Sequence, residues 1–311
     1  MSANIFRRPL LAMSSLIVIA SLSARAQAED ALPDRQKDDI LVTAQKKQQS
    51  IENAPPSRAT VSAETIARTI NAVNVEDTIK YLPSLIIRKR HIGDTQAPLA
   101  TRTSGVGTSA RSLIYADGAL LSSLIGNNNT LASPRWSLVS PQEIARIDVL
   151  YGPYSAAYAG NSIGAVVNIT TRLPDTLEAT ATIGTNVQTF DQYGTHETLP
   201  TWQVGGTIGD RFGPLALFAS VNHVASNSQP VQYVTGAAII PISPPVPVSG
   251  GFNDVNRTNA PIRVFGASGL EHQIQDQFKL KAALDVSSNL RLTYVGGLFI
   301  NDTDSHAQTY L

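Results

Sequence analysis

"PQEIARIDVLYGPYSAAYAGNSIGAVVNITTRLP", Pro141 to Pro174, decides how this 311-residue chain folds. Ser140-Pro141-Gln142-Glu143 has the pattern of a capping box with proline at the first helical position. The helix it opens must be brief, because Arg146–Gly152 (RIDVLYG) has strand composition. Gly152-Pro153 makes one turn and Gly160-Asn161 another. Ala165–Thr171 (AVVNITT) then reads as a buried strand. At Leu173-Pro174 the pattern changes, which sets a boundary there.

Upstream, the elements are short and mixed. Two short helices are expected between Val61 and Pro83; for the second, Asn74 is an N-cap candidate with Asp77 three residues on. Val75, Ile79 and Leu82 share one face of that helix and Pro83 ends it. "SLIIRKR" follows as a strand, residues 93–112 read as loop, and "SLIYADGALL" reads as a hairpin turning at Asp117-Gly118. "SLIGNNNTLASPRWSLV" is a further loop. Residues 61–174 are therefore an α+β domain large enough to hold its own core.

Downstream, the period becomes two. Leu177, Ala179, Ala181 and Ile183 oppose Glu178, Thr180 and Thr182; Phe278, Leu280, Ala282, Leu284 and Val286 oppose Lys279, Lys281 and Asp285. Leu290, Leu292 and Tyr294 continue after a Ser287-Ser288-Asn289 turn, while "WQVGGTIGD" and "LALFASVNH" alternate less cleanly. Such segments suit the strands of an antiparallel membrane barrel, and a soluble sandwich has the same alternation. Residues 229–251 are apolar and uncharged, but Pro241, Pro244, Pro245 and Pro247 forbid a membrane helix and imply a long extended loop.

The N-terminus has Arg7 and Arg8, an apolar run from Leu10 to about Leu22, and Ala26-Gln27-Ala28. That is the layout of a secretory signal peptide cleaved after Ala28, and the run is shorter than the roughly 18 apolar residues of a spanning helix. Residues 29–60 read as a flexible segment, with one strand-like stretch at Asp39–Ala44 (DILVTA). There is no cysteine, so disulfides and thiolate metal sites are excluded. Lys plus Arg and Asp plus Glu are both 24, and this balance gives no basic excess for nucleic acid. Charged residues are 15%, few for a soluble domain. No His pair or carboxylate cluster has metal-ligand spacing, and neither a metal nor a cofactor is expected.

Gly160–Gly164 (GNSIG) matches the nucleophile elbow G-x-S-x-G, with Ser162 as nucleophile and His196 or His223 as base. The motif needs a helix after the serine, whereas Ala165–Thr171 has strand composition, so no catalytic residue is expected here.

Residues 141–174 resemble the end of the plug domain of TonB-dependent outer-membrane receptors. "VEDTIKYLPSL" (75–85) and "LIYADGALLS" (113–122) are similar to earlier plug motifs, and Asp39, Ile40, Leu41, Val42, Thr43 and Ala44 are similar to a TonB box. The resemblance implies an α+β plug followed by the start of an antiparallel transmembrane β-barrel, with about five or six strands in residues 175–311. It further implies active transport of a scarce solute across the outer membrane. The most common cargo is a ferric-siderophore chelate; cobalamin, copper and glycans are the alternatives, and a non-transporting surface binding protein is the rival outside the family. Implied partners are a TonB-type periplasmic energy transducer with its inner-membrane proton-driven complex, the chelate itself, and outer-membrane lipid.

The family has Arg-Gly-Pro where this chain has Tyr151-Gly152-Pro153, and an Arg-Gly pair where Arg102 is followed by Thr103. The contact between plug and barrel is then expected to fall to Arg102, Arg111 or Arg146. Thr103, Arg111, Asn127, Asn128, Asn129 and Trp136 are the expected ligand-facing loop residues. The predicted cleavage site lies only about ten residues before the box, too few for a folded N-terminal signalling module. Barrels that enclose a plug have about 22 strands, so the chain is expected to be a fragment of a longer receptor or a truncated product.

Overall fold

The computed structural model describes residues 58–102, 111–123, 133–152, 158, 160–237 and 249–311. The signal-like leader, Asp39–Ala44, Thr103, Asn127–Asn129 and residues 238–248 of the proline-rich stretch lie outside the described residues. All described residues belong to one unit, Pro56–Leu311.

An α+β unit comes first. Strands β1 (Arg58–Ser62), β4 (Leu113–Ala116), β5 (Ala119–Leu120), β6 (Ile144–Tyr151) and β7 (Ala165–Thr171) form one sheet in the order β1-β6-β7-β4-β5. All pairings are antiparallel except β4 with β7. Register explains the core. Val61, Ile147 and Ile169 stand opposite one another, as do Ala59, Val149, Val167 and Ile114, so one sheet face is continuously aliphatic. Ile66 from the helix Ala63–Thr69, Val75, Ile79, Trp136 and Val139 cover that face. Leu113, Leu150 and Val166 form a smaller cluster on the other.

Local chemistry sets these elements. Ser62 caps the helix, its hydroxyl accepting from Thr65 N–H at 3.2 Å. Asn74 N–H donates to Asp77 Oδ2 at 3.0 Å, but only a 3-10 turn, Val75–Thr78, follows, so the expected second helix is a single turn. Its face is as expected: Val75 and Ile79 are buried and Leu82 packs beside them. Pro141–Glu143 is likewise one 3-10 turn, closed by Ser140 N–H donating to Glu143 Oε1 at 2.6 Å. Asp117 and Gly118 both have positive φ (46° and 86°), the geometry of a tight two-residue hairpin turn. Residues 93–112, expected to be loop, contain β3 (Leu99–Thr101), which pairs with β2 (Leu85–Ile87). Leu99 and Ala100 are buried, and their Thr, Ser and Gly neighbours hide them in sequence.

The second element is a long antiparallel sheet. β8 (Glu178–Gln192), β9 (Thr195–Phe212), β10 (Leu215–Asn227), β13 (Pro261–Ser287) and β14 (Leu290–Thr309) lie side by side in chain order. The shorter β11 (Gln232–Ala237) and β12 (Phe252–Val255) pair with the first part of β13. The two strands whose alternation is least clean in sequence, β9 and β10, are regular. Gly205 and Gly206 interrupt the first, and the inner face of the second carries buried Ala216 and Phe218 beside Ser220 and Asn222.

This sheet has the reverse polarity of a soluble one. Thr201, Gln203, Asn222, Gln275, Lys279 and Lys281 are buried, while Ile183, Val204, Ile208, Val221, Phe278, Leu280, Leu284, Leu292, Leu298 and Ile300 are exposed. Polar inside and apolar outside is the pattern of a membrane barrel wall. None of the described helices is long and apolar enough to cross a membrane.

Candidate functional site

The buried polar residues of the long sheet meet the α+β unit along a continuous seam. At one level Lys279 Nζ donates to Glu143 Oε1 at 2.8 Å, and Ser220 Oγ donates to Glu143 Oε2 at 3.2 Å. Glu143 thus serves twice, closing its own turn and receiving an ammonium from the sheet. Burial pushes its carboxyl above the usual range, with Lys279, Ser140 and Ser220 opposing that shift. Two residues further along β13, Lys281 Nζ donates to Asp117 Oδ2 (3.0 Å), Thr171 Oγ1 (3.0 Å) and Thr171 O (3.3 Å). Asp117 also accepts from Thr171 N–H at 3.0 Å and from the Thr171 hydroxyl. The three protons of one ammonium therefore meet three acceptors in the hairpin turn and the strand beside it.

Amides dominate the middle of the seam. Gln142 Nε2 and Gln203 Nε2 both donate to Asn222 Oδ1, at 3.0 and 2.9 Å, and Gln203 Nε2 also reaches Val73 O at 3.3 Å. Gln277 Nε2 donates to Ser137 O at 2.8 Å, and Gln275 Nε2 donates to Gly93 O. Gly205 lets these groups approach: a Cβ there would lie 2.6 Å from Gln142 Nε2 and 2.8 Å from Asn222 Oδ1.

A third ionic group closes the far end. Arg90 binds Asp94 through Nε (2.9 Å) and Nη2 (2.8 Å), and extends Nη1 and Nη2 to Glu271, each at 3.3 Å. His91 Nε2 and Gln273 Nε2 share Glu271 Oε2, at 3.3 and 2.7 Å. Burial alone would raise the Asp94 carboxyl. Hydrogen bonds from the Arg90 side chain, the Arg90 N–H and the Gln96 N–H hold it below the usual range instead. Beneath this group Lys89 lies 3.2 Å from both Glu76 and Asp77. Burial pushes Glu76 up against the Lys89 charge; burial also opposes the Lys89 charge, yet the two carboxylates hold it above the usual lysine value.

The seam does not use the expected arginines. Arg146 pairs with Asp148 in its own strand at 2.8 Å, and Arg102 and Arg111 are exposed. Lys279 and Lys281 of the wall, and Arg90 of the plug, take that place among the described residues. The sequence signal of the two lysines was present: two cations at i and i+2 on the polar face of a strand whose other face is leucine and phenylalanine. Trp136, expected to face a ligand, is a core residue at 3% exposure, its indole N–H donated to Ala97 O at 2.8 Å. Ser162 is buried and leads into β7, a strand rather than a helix. His196 pairs with Asp191, and His223 pairs with Asp276 and lies tilted against Trp202, ring centroids 4.7 Å apart. No group of three His, Asp or Glu able to hold a metal occurs among the described residues.

Comparison with known proteins agrees with this geometry. Residues 50–166 match the family described as TonB-dependent Receptor Plug Domain. The chain is 30% identical to the ferric enterobactin receptor PirA of Pseudomonas aeruginosa, the match covering 58% of this chain and 26% of that protein. It is 33% identical to the iron-regulated outer membrane virulence protein of Vibrio cholerae serotype O1, covering 48% and 22%. The chain thus spans about a quarter of the length of the curated relatives it matches. In fold it is similar to a ferric enterobactin receptor (PfeA) of Pseudomonas aeruginosa solved with enterobactin, with TM-score 0.56, 15% identity and 80% of this chain on 33% of that one. The siderophore receptor PirA of Acinetobacter baumannii gives TM-score 0.54 at 16% identity, 84% on 33%.

Proposed function

We propose that this chain, which belongs to the TonB-dependent outer-membrane receptors, supplies the plug and first wall strands of a receptor that takes up a ferric-siderophore-type iron chelate. The observation that carries the transport part is the seam itself. The plug is held to the wall by ion pairs and amide hydrogen bonds rather than by an apolar interface, so it can be moved without exposing large apolar surface to water. The preference for an iron chelate over cobalamin, copper or a glycan rests on the two curated relatives, whose names specify ferric enterobactin and iron regulation.

The outer membrane has no energy source of its own. In this reading Asp39–Ala44 is the handle: an extended segment adds as a strand to a TonB-type periplasmic transducer, and main-chain hydrogen bonds supply the grip. Thr103, Arg111 and Asn127–Asn129 are the proposed outward contacts for an anionic, polyoxygenated chelate. In barrels of this kind short turns face the periplasm and long connections face outward. At one end of the sheet both connections, Gly213-Pro214 and Ser288-Asn289, are short; at the other, Tyr193-Gly194 is short but the connection from Asn227 to Pro261 is long. The Lys279 and Lys281 contacts therefore belong to the periplasmic half and the Arg90–Glu271 contact to the outer half.

The test is Leu41→Pro in the full-length receptor, which removes one ladder donor from the handle. Uptake of ferric enterobactin should stop while its binding at the cell surface persists. Uptake at the unmutated rate would refute the proposal.

A further inference from the structure

The cations of the seam each have a well-withdrawn carboxylate close by: Lys279 lies 2.8 Å from Glu143, Lys281 3.0 Å from Asp117, Lys89 3.2 Å from Glu76 and Arg90 2.8 Å from Asp94. Arg172, directly after β7, is different. Its side chain is largely withdrawn from solvent, yet the carboxylate beside it is the half-exposed Glu178, at 3.6 Å. Its Nε donates to Ile144 O at 3.3 Å. The guanidinium lines a cleft of about 580 Å³ between the plug and strands β8 and β9, and among the described residues lining that cleft it is the one charged group. The two walls of the cleft are unlike. On the plug side Ala63, Ile66, Ala67 and Ile70 recur at i, i+3, i+4 and i+7, the apolar stripe of the helix Ala63–Thr69 and its cap. On the other side Thr180, Thr182, Gly184 and Asn186 follow one another along one face of β8. Gly184 leaves the middle of that row open, since a Cβ there would come no nearer to another residue than 3.7 Å, at Gln203 Oε1.

We infer that this cleft, with the plug seated, is a binding site for a small aromatic carboxylate. The carboxylate is received by the planar fork of Arg172, which matches it in shape and charge, and no acid lines the cleft to repel it. The ring lies on the alanine and isoleucine stripe, whose side chains are short enough to leave a shallow, even surface. A ring hydroxyl or the carboxylate edge meets the hydroxyls and amide of the β8 row. Simpler ligands match only one wall. A hydrocarbon would hold the β8 hydroxyls away from any hydrogen-bond partner, and an inorganic anion would leave the apolar stripe facing water. The space is that of an ordinary small-molecule site, roughly 300–1,000 Å³. The site rests on the cleft alone and is independent of the uptake proposal.

Calorimetric titration of the full-length receptor in nanodiscs with salicylate, acetate and phenol tests this. Salicylate should bind saturably. Acetate, which lacks the ring, and phenol, which lacks the carboxylate, should each bind more weakly by about tenfold or more. Arg172→Gln should weaken salicylate binding by about tenfold or more. Gly184→Leu fills the cleft from the wall side, where a Cβ meets open space, and should abolish binding. Thermal midpoints of the two variants show that they are folded, and the comparison of the three ligands needs no variant at all. Absence of saturable salicylate binding, or full-strength binding by either folded variant, overturns the site. Acetate as tight as salicylate means a site for anions only and overturns the aromatic class. Phenol as tight as salicylate overturns the assignment of the carboxylate to Arg172.

Discussion

Lys279 Nζ lies 2.8 Å from Glu143 Oε1 across the boundary between wall and plug, and both side chains are almost wholly withdrawn from solvent. The two residues are far apart in sequence and belong to different architectural layers, yet each is fixed locally, Lys279 by the alternation of β13 and Glu143 by its 3-10 turn.

Removing one partner leaves the other buried and unpaired, which typically costs about 3–5 kcal/mol. Lys279→Met should therefore lower the stability of the seated plug by roughly that amount. Lys279→Met with Glu143→Gln should recover most of it, because no charge is then stranded. Urea unfolding followed through Trp136 fluorescence measures both; equal losses in the single and double variants would show that the ion pair is not the source.

Gly205→Ala should cost about 1–3 kcal/mol, because its Cβ overlaps Gln142 Nε2 and Asn222 Oδ1 and lies 3.2 Å from Val221 O. Gly160→Ala meets nothing within 4 Å and should be neutral. Thermal midpoints of the two variants in detergent decide the matter.

Acid should loosen the outer end of the seam. The Asp94 carboxyl is held below its unfolded value, so its contribution is present above about pH 4 and is lost as the pH falls through the lower folded value. The unmutated protein should lose stability more steeply than Asp94→Asn below about pH 4. Parallel pH profiles of unfolding free energy would rule this out.

Leu280 points outward within the apolar run Phe278, Leu280, Ala282, Leu284 and Val286, so Leu280→Arg places a cation against acyl chains. A cost of about 2–4 kcal/mol is expected at mid-membrane depth. Ser287→Arg, at the turn, should cost about 0–1 kcal/mol. Folding yields into phosphatidylcholine vesicles separate the two.

The parts of the fold legible in sequence were those fixed by local chemistry. The Asp117-Gly118 turn, the Ser140–Glu143 box and the Ala165–Thr171 run each carry their own signal, and each appears at its expected place. β3 was not legible, because three consecutive buried residues are too few to show a period. The anchoring residues were not legible either. Which ammonium meets which carboxylate depends on how the plug docks, and the strand pattern of β13 shows only that Lys279 and Lys281 share a face. Trp136 was misplaced for a related reason: its loop-like surroundings conceal a core position, where its indole N–H donates to Ala97 O.

The chain has two tryptophans, and the fold has put them in unlike places. Trp136 is sealed in the plug core, while Trp202 is 47% exposed on the outward face of the wall, against His223. The protein thus carries two intrinsic optical reporters that answer different questions. Brominated lipid should quench the emission of Trp202 alone and give the depth of the wall in the bilayer. A red shift confined to Trp136 should mark the moment the plug core admits water. With either tryptophan replaced by phenylalanine, insertion and plug rearrangement can be timed separately in one molecule without any attached dye.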